Sequence, residues 1–102
     1  MKVYNKLVRD KIPEIIVASG RKPVTHIMSD GEYVAALEEK LNEEVAEYQD
    51  DKNLEEMADI LEVLRALCTA KGCTLEDLED LRKQKAKDRG GFNNRIYLEY
   101  VE

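Results

Sequence analysis

The chain has no tryptophan, one phenylalanine, one histidine, two cysteines and two prolines among its 102 residues. A single histidine nearly excludes nucleophilic triads, which need an imidazole beside a serine or cysteine. It also argues against di-iron chemistry, because di-iron bundles carry Glu-x-x-His pairs. The spacing of Cys68 and Cys73 matches no zinc or redox motif, and two cysteines do not make a disulfide scaffold. No apolar stretch approaches membrane-spanning length, and the opening residues lack the pattern of a signal peptide. The expectation is a cytoplasmic protein with no membrane partner. Positive charge is also scarce: 16 Lys and Arg against 22 Asp and Glu leave a net charge of −6. Binding a nucleic-acid polymer calls for a basic surface, so that class is set aside. A smaller polyanion could still be held locally, through metal ions and a few basic side chains.

At this length one domain is expected, residues 1–102, with a modest core. No internal repeat, low-complexity segment or linker interrupts it. Asp10 reads as the N-cap of a helix to about Ser19, with Pro13 tolerated in the first turn and Gly20 as the stop. Ser29-Asp30-Gly31-Glu32 has the form of a capping box and opens a long helix to about Asp50. Asp51-Lys52-Asn53 is the turn into a second long helix, Leu54 to about Lys71, which Gly72 ends. Thr74, with Asp77 three residues on, caps another helix to about Asp88. Val24 to Met28 and Arg95 to Val101 alternate apolar and polar residues. They read as short strands that could pair into an antiparallel hairpin lying on the helices. His26, on the first of them, reads as a packing residue. The expected class is mainly α: an antiparallel helical bundle with a small two-stranded β hairpin, completed by oligomerisation.

What the chain has in quantity is carboxylate, and its arrangement around the central turn carries the argument. Glu44 with Glu47, and Glu56 with Asp59, are acids three apart on the two long helices. Residues at that spacing lie one above the other on a helix. If the turn folds the helices antiparallel, both pairs can converge on a four-carboxylate cage suited to a hard divalent cation, Mg²⁺ above all. Two plainer readings compete. Acids on helices are commonly solvated, and Asn53 with Glu56 also fits a capping box in which Glu56 only serves the helix start.

Placing residues at about 100° intervals sharpens the choice. On the first long helix Val34, Leu37, Leu41, Val45 and Tyr48 share an apolar arc, with Glu44 at its edge and Glu47 just beyond. On the second, Leu54, Met57, Leu61, Leu64 and Cys68 form one apolar stripe. Glu56 and Asp59 project on the opposite side, among Ile60, Val63, Ala66 and Leu67. A helix apolar on two sides is usually buried, and buried carboxylates need partners or a metal. Two such helices need more cover than one small chain gives, so a homodimer or homotetramer is expected.

A Mg²⁺ cage of this kind takes its remaining oxygens from water and substrate phosphates. The cations for such phosphates could come from Lys6, Arg9 and Lys11 near the start, or from Lys83, Lys87, Arg89 and Arg95 near the end. The second group has an alternative role, since basic residues near a helix C-terminus complement its dipole. Gly90-Gly91 could bring backbone N–H groups to a phosphate or could simply stop the helix.

EEVAE at 43 to 47 followed by EMAD at 56 to 59 resembles the EExxE…ExxD signature of the MazG-like all-α nucleoside triphosphate pyrophosphohydrolases. That superfamily also includes phosphoribosyl-ATP pyrophosphohydrolases and dimeric dUTPases. The opening YNKLVRDKIPEII and the ending RGGFNNRIYLE resemble a short single-domain subgroup, so the resemblance spans nearly the whole chain. It implies Mg²⁺-dependent hydrolysis of a nucleoside triphosphate between the α- and β-phosphates, with Mn²⁺ as a possible substitute, giving monophosphate and pyrophosphate. It implies house-cleaning of non-standard nucleotides as a role, and an oligomer of helical bundles. By position, the metal ligands and catalytic acids would be Glu44, Glu47, Glu56 and Asp59. Glu43 would support a ligand or be solvated. Lys6, Arg9, Lys11, Arg89 and Arg95 would bind phosphate. Two alternatives share the same cage: phosphoribosyl-ATP pyrophosphohydrolysis in histidine biosynthesis, and a non-catalytic nucleotide-binding module. Base selection would fall to Tyr4, Tyr48 or Phe92, each of which also reads as a core or interface residue.

Overall fold

A computed structural model describes residues 1–102 and contains four helices: α1 (Ile12–Ala18), α2 (Asp30–Asp51), α3 (Leu54–Ala70) and α4 (Leu75–Arg89). The chain is therefore mainly α. The start of α2 is fixed by local chemistry. Ser29 has extended backbone, its hydroxyl accepts from the Glu32 N–H, and the Glu32 carboxylate accepts from the Ser29 N–H. These reciprocal bonds satisfy donors that the first helical turn leaves open.

Two residues separate α2 from α3. Lys52 adopts the left-handed conformation (φ 52°), and its N–H donates to the Tyr48 carbonyl. Asn53 then caps α3, its Oδ1 accepting from the Glu56 N–H at 3.0 Å. This reversal lays α3 back along α2. Between them lies the core: Leu37 from α2, Val63 and Leu67 from α3, with Leu7, Tyr33, Leu41 and Ala66 packed around them. Gly72 (φ 82°) breaks the chain after α3, and Thr74 with Asp77 forms a second capping box that starts α4.

The rest of the molecule has little cover. Only Leu37, Val63, Leu67 and Glu44 are buried. Helix α4 packs on α3 alone and buries no residue. The radius of gyration is 18.1 Å, against about 13 Å for a compact domain of this size. The double-sided apolarity of α3 explains part of this. Its Val63 and Leu67 side meets α2, while Leu54, Met57 and Leu61 face outward at 79%, 52% and 53% exposure.

Two expectations are corrected. The strands at 24–28 and 95–101 do not form, so there is no β hairpin. Val24, Ile27, Ile96, Leu98 and Val101 are exposed. A two-stranded sheet needs an apolar surface to lie on, and neither segment has one. Helix α1 starts at Ile12 with Lys11 at the N-cap position and no side-chain cap, rather than from Asp10. Pro13 lies in its first turn and has no N–H, so there is one donor fewer for a cap to satisfy.

Candidate metal centre

The cluster is built by the α2–α3 reversal. Glu44 and Glu47 stand one turn apart near the end of α2, and Glu56 and Asp59 one turn apart near the start of α3. Antiparallel packing brings the two pairs together, and each of the four residues offers a carboxylate oxygen within 4.8 Å of the others. All four acids expected from the spacing therefore meet.

Their burial differs. Glu44 is 6% exposed, the only charged side chain in the core, and Glu56 and Asp59 are half-buried. Glu47 lies at the open side. Glu44 Oε2 and Glu56 Oε2 are shielded from solvent and have no hydrogen-bond partner. The capping-box alternative for Glu56 is resolved by the same contacts. Asn53 caps α3 through the Glu56 N–H, and the shielded Glu56 Oε2 bonds to nothing.

Burial of carboxylate oxygens without donors favours the protonated form. Burial first, then the neighbouring Glu47, holds the Glu44 carboxyl above its ordinary range, with Lys40 pulling the other way. Burial also raises Glu56, reinforced by the negative charges of Glu47, Asp51, Asp59 and Glu44. For Glu43 burial acts in the same direction, but Lys40 and Lys6 outweigh it and leave that carboxyl below its usual range.

Cations flank the cluster on both sides. Arg9 Nη2 donates to Asp59 Oδ1 at 2.7 Å. Lys40 Nζ lies 3.4 Å from Glu44 and 3.4 Å from Glu43, and Lys6 Nζ is also 3.4 Å from Glu43. Lys40 was missed at the sequence level, although its i, i+4 relation to Glu44 is a recognised helical pairing. Glu43 anchors Lys6 and Lys40 and is outside the four-acid group.

The other expected basic residues are not brought to the acids. Lys11 makes no ion pair. Arg89 and Arg95 pair with none of the four acids; they line an open cleft with Gly90, Gly91, Phe92, Asn93, Asn94 and Ile96. Of the residues considered for base selection, Tyr48 is half-buried beside Lys52, Tyr4 lies exposed beneath Lys2 and Lys6, and Phe92 is exposed.

The donor set suits a hard cation. Every ligand is oxygen, and two of the oxygens lack any other partner. Opposite ligands of Mg²⁺ at its usual bond length are about 4.2 Å apart. A 4.8 Å spread reaches that with small side-chain adjustments.

An uncharacterised protein of Mycolicibacterium smegmatis is 67% identical over 42 residues, 41% of this chain and 43% of that protein. The match spans less than half of the relative's length. No protein-family profile matches the chain, and no solved structure matches it.

Proposed function

We propose that the protein is a Mg²⁺-dependent nucleotide pyrophosphohydrolase that cleaves a nucleoside triphosphate between its α- and β-phosphates. The observation that carries this reading is the convergence of Glu44, Glu47, Glu56 and Asp59, with buried oxygens of Glu44 and Glu56 left without donors. Such a group is expensive to bury unless something positive joins it. The resemblance of EEVAE and EMAD to the MazG-like signature supplies the reaction class. Bound Mg²⁺ would neutralise the triphosphate and lower the pKa of an attacking water.

The chain's own residues divide the remaining work. The four acids hold the cation. An acid of the four not fully engaged by the cation would accept the water's proton. Arg9 on Asp59 and Lys40 on Glu44 stand nearest as positive groups for a phosphate, with Lys6 beside them on Glu43, while Lys11, Arg89 and Arg95 would need to move to reach one. The uncovered stripe of Leu54, Met57 and Leu61 supports a homo-oligomer, in which a second copy burying it would complete a bundle the single chain leaves half built.

The test is pyrophosphate release from a panel of standard and modified nucleoside triphosphates, with Mg²⁺ and with chelator. The expected result is metal-dependent release of pyrophosphate and monophosphate together. Orthophosphate as product would move the cut and refute the mechanism. Tight Mg²⁺–nucleotide binding without turnover would favour a binding module instead. Light scattering of the same preparation should give at least a dimer mass.

A further inference from the structure

The segment before α1 crosses the α2–α3 hairpin at its acid cluster. Lys6 pairs with Glu43 on α2, Leu7 packs on the core, and Arg9 pairs with Asp59 on α3. Further along the hold is looser: Ile12, Pro13 and Ile16 are half-buried, but α1 buries no residue fully and packs on no other helix. The segment is thus a strap secured at three points, two of them ion pairs.

The strap's third point lies inside the candidate metal centre. Arg9 Nη2 occupies Asp59 Oδ1 at 2.7 Å, full hydrogen-bonding distance. A cation bound by the four acids needs an oxygen from Asp59, and a guanidinium on that carboxylate competes for it by charge and position. The Arg9 side chain is 58% exposed, and ion pairs that face solvent are weakly held. Asp59 therefore has two alternative positive partners, one built into the chain and one from solution. Glu44 and Glu56, whose shielded oxygens have no partner, add to the pull for the second.

Resting on the metal reading above, we propose that Arg9 is an internal competitor of the divalent cation: metal binding displaces its guanidinium from Asp59 and releases the strap at that point. Occupancy of the site is then coupled to the position of residues 5–9. The freed guanidinium stays tethered beside the acids, within reach of an anionic ligand. Competition and positioning predict opposite signs. If Arg9 merely steadied Asp59, losing it would weaken metal binding; if it competes, losing it strengthens binding.

The experiment is calorimetric titration with Mn²⁺ alone of the wild type, Arg9→Gln and Lys85→Gln. The last variant removes the same charge from exposed α4 and controls for the overall field. Arg9→Gln should bind Mn²⁺ about two- to fivefold more tightly than the wild type, and Lys85→Gln should match the wild type. Hydrogen exchange on the wild type gives a second readout. On adding Mn²⁺, the Ile12 amide, which donates to the Arg9 carbonyl at 3.1 Å, should exchange faster while the amides of α2 and α3 slow.

Wild-type binding that Arg9→Gln leaves unchanged or weakens overturns the competition and leaves the metal reading intact. Unchanged or slower exchange at Ile12 on adding Mn²⁺ overturns the release of the strap. Absence of Mn²⁺ binding in the wild type and in Arg9→Gln alike removes the metal reading and the inference with it. Binding by Arg9→Gln alone would be the strongest support.

Discussion

Helices α2 and α4 are started by the same device and end in different circumstances. Each begins with a hydroxyl N-cap and an acid at the third position that returns the bond. Each is rich in charge. Yet α2 carries Leu37 and Glu44 into a core, while α4 buries nothing. Capping fixes where a helix starts; it does not give that helix something to pack on. The difference lies in the apolar positions. Tyr33, Leu37 and Leu41 recur along one face of α2 and meet a second helix. Leu75, Leu78 and Leu81 on α4 are too few and remain in part exposed. Acids on α2 can therefore be desolvated into a site, whereas acids on α4 stay solvated or pair locally, as Glu79 does with Arg82.

Substitutions that separate the two regions should do so most sharply in activity. Glu56→Gln or Asp59→Asn should lower Mg²⁺-dependent pyrophosphate release by about 100-fold or more, since loss of mere supporting contacts around metals costs about 10–100-fold. Circular dichroism should remain helical. The matching change on α4, Glu76→Gln, should leave turnover within about twofold of the wild type, as for surface substitutions generally. Equal loss in both regions would end the distinction.

Stability should divide the same way. Leu37→Ala should cost about 3 kcal/mol in urea unfolding, as for other buried leucines. Leu81→Ala on α4 should cost no more than about 0.5 kcal/mol.

Charge burial gives a further contrast, measured in chelator. The Glu44 carboxyl is raised above 4.5 by burial and by Glu47. The folded protein therefore binds this proton more tightly than the unfolded chain, so ionising the group opposes folding. Its contribution is favourable below the raised value and is lost as pH increases from about the ordinary carboxylate value through it. The stability of the wild type relative to Glu44→Gln should thus fall as pH rises across that window. A relative stability that rises with pH would mean that Lys40 outweighs burial and Glu47.

The smallest effects should come from the shared caps. Ser29→Ala and Thr74→Ala each remove a cap worth about 1 kcal/mol. The first should lower the global melting temperature, because α2 holds the core. The second should fray α4 and show mainly as faster amide exchange at its start.

Much of this was legible in the sequence, for particular reasons. Capping residues Ser29, Asn53 and Thr74 and the stops at Gly20, Gly72 and Gly90 act locally, so the helices fell near their expected bounds. The convergence of the four acids was legible because spacing on a helix is rigid and the turn is short. The strands do not form because alternation at 24–28 and 95–101 describes a preference that only a covering surface can realise. Lys40 carries no signal in a pattern of carboxylates, although it lies one turn before Glu44 and pairs with it. Arg9 was assigned to phosphate by resemblance, and its contact with Asp59 depends on how the opening segment folds back, which no local pattern encodes.

The turn at Lys52 and Asn53 has a consequence for the order in which the protein acquires its parts. The four acids span only residues 44 to 59, and the contacts that unite them are short-range along the chain. Closing so small a loop takes on the order of 100 ns, and short-range contacts speed folding. The α2–α3 hairpin can therefore assemble its acids early, before α4 docks and before the opening strap is drawn across. On a ribosome, the cage would be ready once residues through α3 had emerged. The left-handed Lys52, an uncommon conformation for a residue with a side chain, is thus a single backbone choice on which both the core and the site depend.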